Sequence, residues 1–564
     1  MEQINEQQVE SQVTPWIVTG KIDYLRLIDQ FGAELIDNNL LEKFQRITGK
    51  ELHPWLKRGI FFSHRKLNEL LDAYECGETI FLYTGRGPTS EALHLGHMIP
   101  FMFTKWLQDI FDAVLVIQMA DDEKYYFKDL EFDEVYRLGF ENAKDIIACG
   151  FNPEKTFIFS NRDYRLCTPE YEIFVSEMKK KINVHTISKI FGFDENSTTG
   201  QYDWTFYQSA AAFSRSYPHI FDGAPSHCLV AYAIDQDPYF RMARGLADKM
   251  DLIKPYSIMT KFLPPLSGDT GKMSSTGNTI SNAPPIFMTD SIEEIKTKVL
   301  KYTFSGGGGN GTLEDHRKFG GNLDIDMSYH YLRYFELDDE KLNYIEKEFS
   351  SGRMSCSDIK QILIDKLIEM VIKHNEARNN VTDDIVNYFY KKKKIVLNRK
   401  IQNIKKNEKE LYDYFVQCGI QFRTTYHKPI TTIEEGKEIA MRLEGSICKN
   451  LLLKPKHKDY YYLCVADIRT KIDMKKLRKE LGEELISFAP KNMLQDLLNV
   501  PEGCATLFAI KNTNQDKLKI IIDKNINIMT SVNFHPLRND ATTTISHDDM
   551  IKYIKSCGYG IILF

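Results

Sequence analysis

From Phe81 to about Asp290 the chain alternates short apolar runs with amphipathic stretches of helical period. Phe81-Leu82-Tyr83 and Val114-Leu115-Val116-Ile117-Gln118-Met119 carry little polar interruption, as strands buried on both faces of a parallel sheet do. Such strands alternating with helices predict an α/β fold, a doubly wound sheet of Rossmann type. Ligands in these sheets bind beyond the carboxyl ends of the strands, and Thr84-Gly85-Arg86-Gly87-Pro88 and Ala120-Asp121-Asp122-Glu123 fall there. Residues 353–390 are helical in period, with Ile362, Leu363, Leu367, Ile368, Val371 and Ile372 spaced as a core face, and predict a small helical domain. From Leu411 the pattern restarts with a helix and then short strands such as Asp459–Val465 and Lys519–Asp523, predicting a separate mixed α+β domain.

Between the last two regions, Lys391 to Glu410 holds nine Lys or Arg against two Glu, and reads as a basic linker or linker helix. The run Gly306-Gly307-Gly308-Gly309-Asn310-Gly311 lacks the lysine-serine pair of a phosphate loop and predicts a flexible surface loop. A length of 564 residues with 43% hydrophobic content suits two to four domains with sizeable cores. The polar first fifteen residues and the lack of a long apolar stretch argue against secretion and against a membrane. Ten cysteines without a C-x-x-C pair argue against a disulfide framework and a structural zinc, and fit a reducing cytosol. A net charge of −5 leaves polyanion binding to a local cationic face.

Two tetrapeptides carry candidate chemistry. His94-Leu95-Gly96-His97 and Lys272-Met273-Ser274-Ser275 lie about 175 residues apart. Two histidines on one turn and a lysine supply donors and cations where negative charge builds on phosphorus. Gly96 leaves room for a flat adenine against the backbone, and the run Met98 to Phe103 predicts a buried helix whose N-terminus faces phosphates. Either tetrapeptide alone is weak; in this order and spacing the pair resembles the signature of class I aminoacyl-tRNA synthetases. That resemblance implies attack of an amino-acid carboxylate on the α-phosphate of ATP.

Further segments narrow the resemblance: Tyr83-Thr84-Gly85-Arg86-Gly87-Pro88, Asp121-Asp122-Glu123-Lys124-Tyr125, Ala233 to Arg241 and Phe319-Gly320-Gly321-Asn322. With these, residues from about Pro15 to Phe389 resemble the eukaryotic-type tryptophanyl-tRNA synthetase family, and Trp16 and Ile22-Asp23-Tyr24 resemble its N-terminal hairpin segment. The resemblance implies that Tyr83 and Gln118 read the indole N–H of tryptophan and that Phe240 packs on the ring. Glu123, Lys124, Gln208 and Gln236 would hold the amino and carboxylate groups. Arg86, Gly87, Gly96, His94 and His97 would face ATP, with Lys272, Met273, Ser274 and Ser275 closing over the phosphates, Mg2+ sharing their charge and no protein metal site. The implied partners are tryptophan, ATP and tRNA(Trp), in a cytoplasmic homodimer. Asp324 and Asp326 are candidates for anticodon reading. A tyrosyl-tRNA synthetase, or a catalytically silent tRNA-binding protein, remains the alternative.

The tail resembles the prolyl-tRNA deacylase type of editing domain, through Cys448-Lys449-Asn450-Leu451-Leu452-Leu453, Gly503, Asp523, Phe534-His535-Pro536, Asn539 and Ala541 to Ser546. By that resemblance Lys449, Gly503 and His535 form an editing site for mischarged tRNAs. Where the family loop reads Gly-x-x-x-Pro, this chain has Gly503-Cys504-Ala505-Thr506-Leu507. Either the accepted side chain has changed or the domain only binds tRNA. The organisation expected is an N-terminal extension and hairpin segment (1–80), a Rossmann-type catalytic domain (81–320), a helical anticodon-binding domain (321–390), the basic linker (391–410) and the deacylase-like domain (411–564).

Overall fold

The computed structural model describes residues 22–268, 283–395 and 406–564, apart from interruptions at 76, 310–311, 427–442, 444, 491, 501–503 and 527–529, together with residues 12–13, 15, 18–19 and 397. The chain forms two compact units, the first of Met1–Asp72 and Thr79–Asn398 and the second of Ala73–Glu78 and Arg399–Phe564.

The first unit begins with an antiparallel pair, β1 (Gln12–Val13) and β2 (Val18–Thr19). Its main sheet comprises β3 (Glu34–Leu35), β4 (Phe61–Arg65), β5 (Ile80–Arg86), β6 (Val114–Met119), β7 (Thr156–Ser160), β8 (His227–Ala233) and β9 (Tyr256–Thr260). The order is β3-β4-β9-β8-β5-β6-β7, with β3 and β4 antiparallel at one edge and the other five parallel. All six residues of β6 are buried, which accounts for its unbroken apolar run. The chain winds one way from β5 through β6 to β7, then returns to β8 on the far side of β5, so a crevice opens where those directions part.

The predicted Met98–Phe103 helix lies inside a longer one, Leu95–Phe111, whose N-cap His94 accepts the His97 N–H on Nδ1 at 3.3 Å. The helix Phe132–Ile147 packs beside β7 and joins a long helix, Cys356–Asn379. Asp145 of the first accepts a contact from His374 Nε2 at 3.0 Å and pairs with Arg378 at 3.0 Å on the second.

Three expectations change here. The buried face of Cys356–Asn379 is Ile359, Leu363, Ile364, Leu367, Val371 and His374, each apolar member contributing roughly 1.5–3 kcal/mol by burial. Ile372 is 41% exposed, because one step past Val371 turns the side chain about 100° away from that face. The glycine run is not a loose loop over Gly306–Gly309. A Cβ on Gly306 would lie 2.3 Å from the Asn322 carbonyl oxygen, and one on Gly308 2.2 Å from that of Gly320, so backbone packs on backbone. Asp326 is fully buried, accepting from the N–H groups of Gly306 at 2.8 Å and Tyr329 at 2.9 Å, so its side chain does not reach the surface where a base would lie. Asp324 is exposed.

The second unit is a mixed sheet ordered β10-β16-β15-β11-β12-β14-β17, with β13 also on β11. Its strands are β10 (Phe422–Tyr426), β11 (Ser446–Pro455), β12 (Tyr461–Asp467), β13 (Ile486–Phe488), β14 (Leu518–Ile522), β15 (Ser531–Phe534), β16 (Ala541–Ser546) and β17 (Ile561–Leu563). Phe415 from the helix Lys406–Gln417 and Tyr553 from the helix His547–Ser556 meet Phe508 edge-on in its core. The first of these helices starts inside the segment read as linker. Leu507, where the proline was expected, is fully buried and opens a short 3-10 helix.

Candidate active site

A cavity of about 280 Å³ opens past the carboxyl ends of β5 and β8. Tyr83, Arg86, Gly87, His94, Gly96, His97, Gln118, Glu123, Lys124, Gln208, Gln236 and Phe240 all line it. The two groups of residues expected to meet ATP and an amino acid are therefore walls of one space. Lys272, Met273, Ser274 and Ser275 lie outside the described residues, as do Trp16 and Gly503.

At the deep end, strand register does the positioning. Tyr83 pairs with Val116 and Gly85 with Gln118, so side chains 83 and 118 emerge on the same face, one diagonal step apart. Gly85 is needed between them: a Cβ there would meet the Gln118 carbonyl oxygen at 3.0 Å. Tyr83 Oη donates to Gln118 Oε1 at 2.6 Å, and Gln118 Nε2 donates to Asn161 Oδ1 at 3.1 Å and to the Tyr207 carbonyl at 3.4 Å. Asn161 Nδ2 donates to Asp122 Oδ2 at 2.6 Å. Phe240 stacks on Tyr232 at 4.4 Å between ring centroids and meets Tyr83 edge-on at 6.1 Å, giving an aromatic wall.

Burial drives the electrostatics here. It lifts the Tyr83 phenol well above its ordinary value, so the ring oxygen stays neutral. Burial also raises the Asp121 carboxyl to about 6, opposed by the Ser160 hydroxyl, and the Asp122 carboxyl to about 7, where Asp121 adds to the rise and Asn161 and Arg165 oppose it.

The middle of the cavity is polar. Glu123 and Lys124, on the helix Asp121–Phe127, pair at 2.8 Å, and Gln208 Nε2 donates to Gln236 Oε1 at 3.4 Å. Any side chain at 87 would have to push the tips of this pair aside, since a Cβ would come within 2.3 Å of Glu123 Oε2 and 2.4 Å of Lys124 Cε.

The other end is cationic. The His94 and His97 rings stack at 3.5 Å, at the N-terminus of Leu95–Phe111, which adds the positive end of a helix dipole. Arg86 Nε donates to Asn142 Oδ1 at 3.1 Å, while its Nη2 is buried without a protein partner among the described residues. Burial lowers the Arg86 guanidinium to about 10, offset by Glu123 and Asp145, so it remains cationic at neutral pH. Asn142 Nδ2 donates to the carbonyls of Ser90 at 2.8 Å and Glu91 at 3.2 Å, pinning the arginine to the loop that leads into His94. Such a site holds a donor-bearing aromatic group at one end and an anion at the other.

Sequence reasoning missed Asn142 and Asn161 and gave Asp122 no task. Asn161 stands immediately past the carboxyl end of β7, where strand position alone could have flagged it. Asn142 sits in the middle of a helix and gives no such signal.

In the second unit, Lys449 Nζ donates to the Thr470 carbonyl and His535 Nδ1 contacts the Ala541 carbonyl at 3.0 Å. Parallel pairing of β11 and β15 sets Ser446 against Val532 and Ile447 against Asn533; Lys449 lies further along β11, and His535 follows the last residue of β15. Burial lowers the His535 imidazole below its ordinary value.

Residues 75–371 match the model of the tRNA synthetases class I (W and Y), and the chain belongs to that family. Residues 427–553 match the aminoacyl-tRNA editing domain. Within the class, similar relatives include cytoplasmic tryptophan–tRNA ligases. The cytoplasmic ligase of Oryctolagus cuniculus is 48% identical over 385 residues, 67% of this chain and 80% of the relative. That of Arabidopsis thaliana is 45% identical over 393 residues, 68% of this chain and 96% of the relative. Among solved structures, tryptophanyl-tRNA synthetase from Plasmodium falciparum is 42% identical with a TM-score of 0.61, covering 67% of this chain and 99% of its own. The Encephalitozoon cuniculi enzyme bound to tryptophan is 34% identical with a TM-score of 0.58, covering 65% and 99%.

Proposed function

We propose that the chain is a tryptophan–tRNA ligase, activating tryptophan with ATP and passing it to tRNA(Trp). The carrying observation is the buried Tyr83–Gln118 pair at the end of an aromatic-walled cavity that continues into a cationic ATP end. Indole N–H donates and never accepts, so a phenol oxygen and an amide oxygen held side by side suit it. Glu123, Lys124, Gln208 and Gln236 line the same cavity and would hold the amino and carboxylate groups. The carboxylate then faces the α-phosphate, and Arg86, the histidine turn and Lys272 offset the charge that builds there and on the departing pyrophosphate. The side chains position and stabilise, and no protein nucleophile is needed. In the second step the adenylate's acyl group passes to a hydroxyl of the tRNA's terminal adenosine.

Mg2+ normally accompanies ATP. It would sit against the ATP phosphates and share their charge. No helix among the described residues is long and apolar enough to cross a membrane, and the relatives named above are cytoplasmic, which supports the same compartment here. A homodimer is proposed from the family resemblance alone. ATP–pyrophosphate exchange with tryptophan and tyrosine tests the reading: tryptophan should win by ~10⁴ or more, and equal rates would return the tyrosyl alternative.

For the second unit we propose hydrolysis of a mischarged tRNA, supported by the match of residues 427–553 to the aminoacyl-tRNA editing domain. Lys449→Ala in the full chain should abolish release of a small misacylated residue while tryptophan activation stays unchanged. Substrate-independent tRNA binding with no turnover of any aminoacyl ester would favour the binding-only reading instead.

A further inference from the structure

The chain Tyr83, Gln118, Asn161, Asp122 has a direction. A carboxylate accepts and does not donate, so the Asn161 group facing Asp122 Oδ2 must be its NH2. The Asn161 carbonyl oxygen then faces Gln118, which must turn its own NH2 that way, an orientation also held by the Tyr207 carbonyl. Gln118 Oε1 is left facing Tyr83, whose hydroxyl proton is committed to it at 2.6 Å. Each step follows from the one behind it. What remains toward the cavity is a lone pair on Gln118 Oε1 and lone pairs on Tyr83 Oη, acceptors only.

Asp122 and Asn161 are 2% and 0% exposed and do not line the cavity, so neither can touch a ligand there. Asp122 Oδ1 is buried without a hydrogen-bond partner among the described residues, which leaves Oδ2, shared by Asn161 and by Arg165 at 3.4 Å, as the working atom. A proton taken up by this carboxyl would sit on the unpartnered Oδ1, and Oδ2 would still accept.

We infer that Asp122 and Asn161 are positioning residues for specificity: they fix the hydrogen-bond polarity of Tyr83 and Gln118 so that the deep end of the pocket accepts only an aromatic ring bearing a hydrogen-bond donor. This rests on the proposed placement of tryptophan with its indole N–H at Tyr83 and Gln118. In Asp122→Asn the anchoring acceptor becomes an amide that can also donate. The whole relay can then reverse, with Asn161 and Gln118 turned over and the tyrosine proton released into the pocket.

The test compares tryptophan with β-(3-benzothienyl)alanine, which has nearly the same shape but sulfur in place of N–H, in ATP–pyrophosphate exchange. Wild type should prefer tryptophan by roughly tenfold to a hundredfold in kcat/KM, the cost of leaving the acceptors unpaired. Asp122→Asn should shrink that ratio by about tenfold, with the loss in KM for tryptophan and the KM for ATP unmoved. Asn161→Ala, which cuts the relay but keeps the carboxylate, is the second variant should the first fail to fold. A merely structural role would slow both substrates alike, so an unchanged ratio in folded variants overturns the inference. A wild-type ratio near one would instead overturn the placement of indole on which it rests.

Discussion

Asn142 gives the sharpest forecast outside the cavity walls. Its side chain is fully buried and both ends of the amide are used: Oδ1 accepts from Arg86 Nε at 3.1 Å, and Nδ2 donates to the Ser90 and Glu91 carbonyls at 2.8 and 3.2 Å. Asn142→Ala removes all three. The two carbonyls belong to a partly exposed loop where water can replace the amide, so each costs ~0.5–1 kcal/mol, whereas the bond to the charged guanidinium is worth about 1.5–3 kcal/mol. Stability measured by urea unfolding should fall by roughly 2.5–5 kcal/mol. In catalysis, an Arg86 freed to point elsewhere should cost ~10- to 100-fold in kcat/KM for ATP at saturating tryptophan. The KM for tryptophan should stay within about twofold, because no atom of Asn142 reaches the deep end. A folded variant with wild-type ATP kinetics would refute the argument, and so would a variant whose tryptophan and ATP constants move in parallel.

Gly87→Ala should raise the KM for tryptophan by roughly tenfold or more, because its Cβ displaces the Glu123–Lys124 pair; unchanged amino-acid kinetics would remove that pair from the site. On the proposed role of Lys272 at the phosphates, Lys272→Ala should lower the kcat of adenylate formation while tryptophan KM holds; lost tryptophan affinity with intact turnover would contradict that role. The Asp121 and Asp122 carboxyls bind protons more tightly folded than unfolded, at about 6 and about 7 against an ordinary 3.8. Their contribution is therefore fully present below about pH 3.8 and is lost as pH rises through about 7, and Asp122→Asn should flatten that part of the stability profile. Urea midpoints at about pH 5 and about pH 8 measure the slope, and equal slopes in both proteins would count against the burial argument.

The sheet and the cavity were legible in the sequence because their signals are local. β6 is apolar throughout, β5 runs straight into Thr84 to Pro88, and strand ends carry ligands in this architecture. Less legible were features set by what lies opposite in space. Ile372 reads as core until the true face, from Ile359 to His374, fixes the helix's rotation. Gly306 to Gly309 read as slack because nothing in their own sequence announces the Asn322 and Gly320 carbonyls packed on them. Asn161 and Asn142 work through partners 39 to 56 residues away, a distance no spacing rule spans. The match over residues 427–553 places an editing-type domain where the restart at Leu411 announced a new one, though its first helix begins at Lys406.

One turn of the helix Phe132–Ile147 carries both Asn142 and Asp145. The first holds Arg86 and the second holds His374 and Arg378 of the long helix, so two anchor points ~4.5 Å apart along one axis join the nucleotide end of the cavity to an element outside it. An α-helical turn is stiff over that length. Arg86 and the long helix are thus fastened to one rigid turn, and the guanidinium that faces the cavity shares its support with an element that lines none of it.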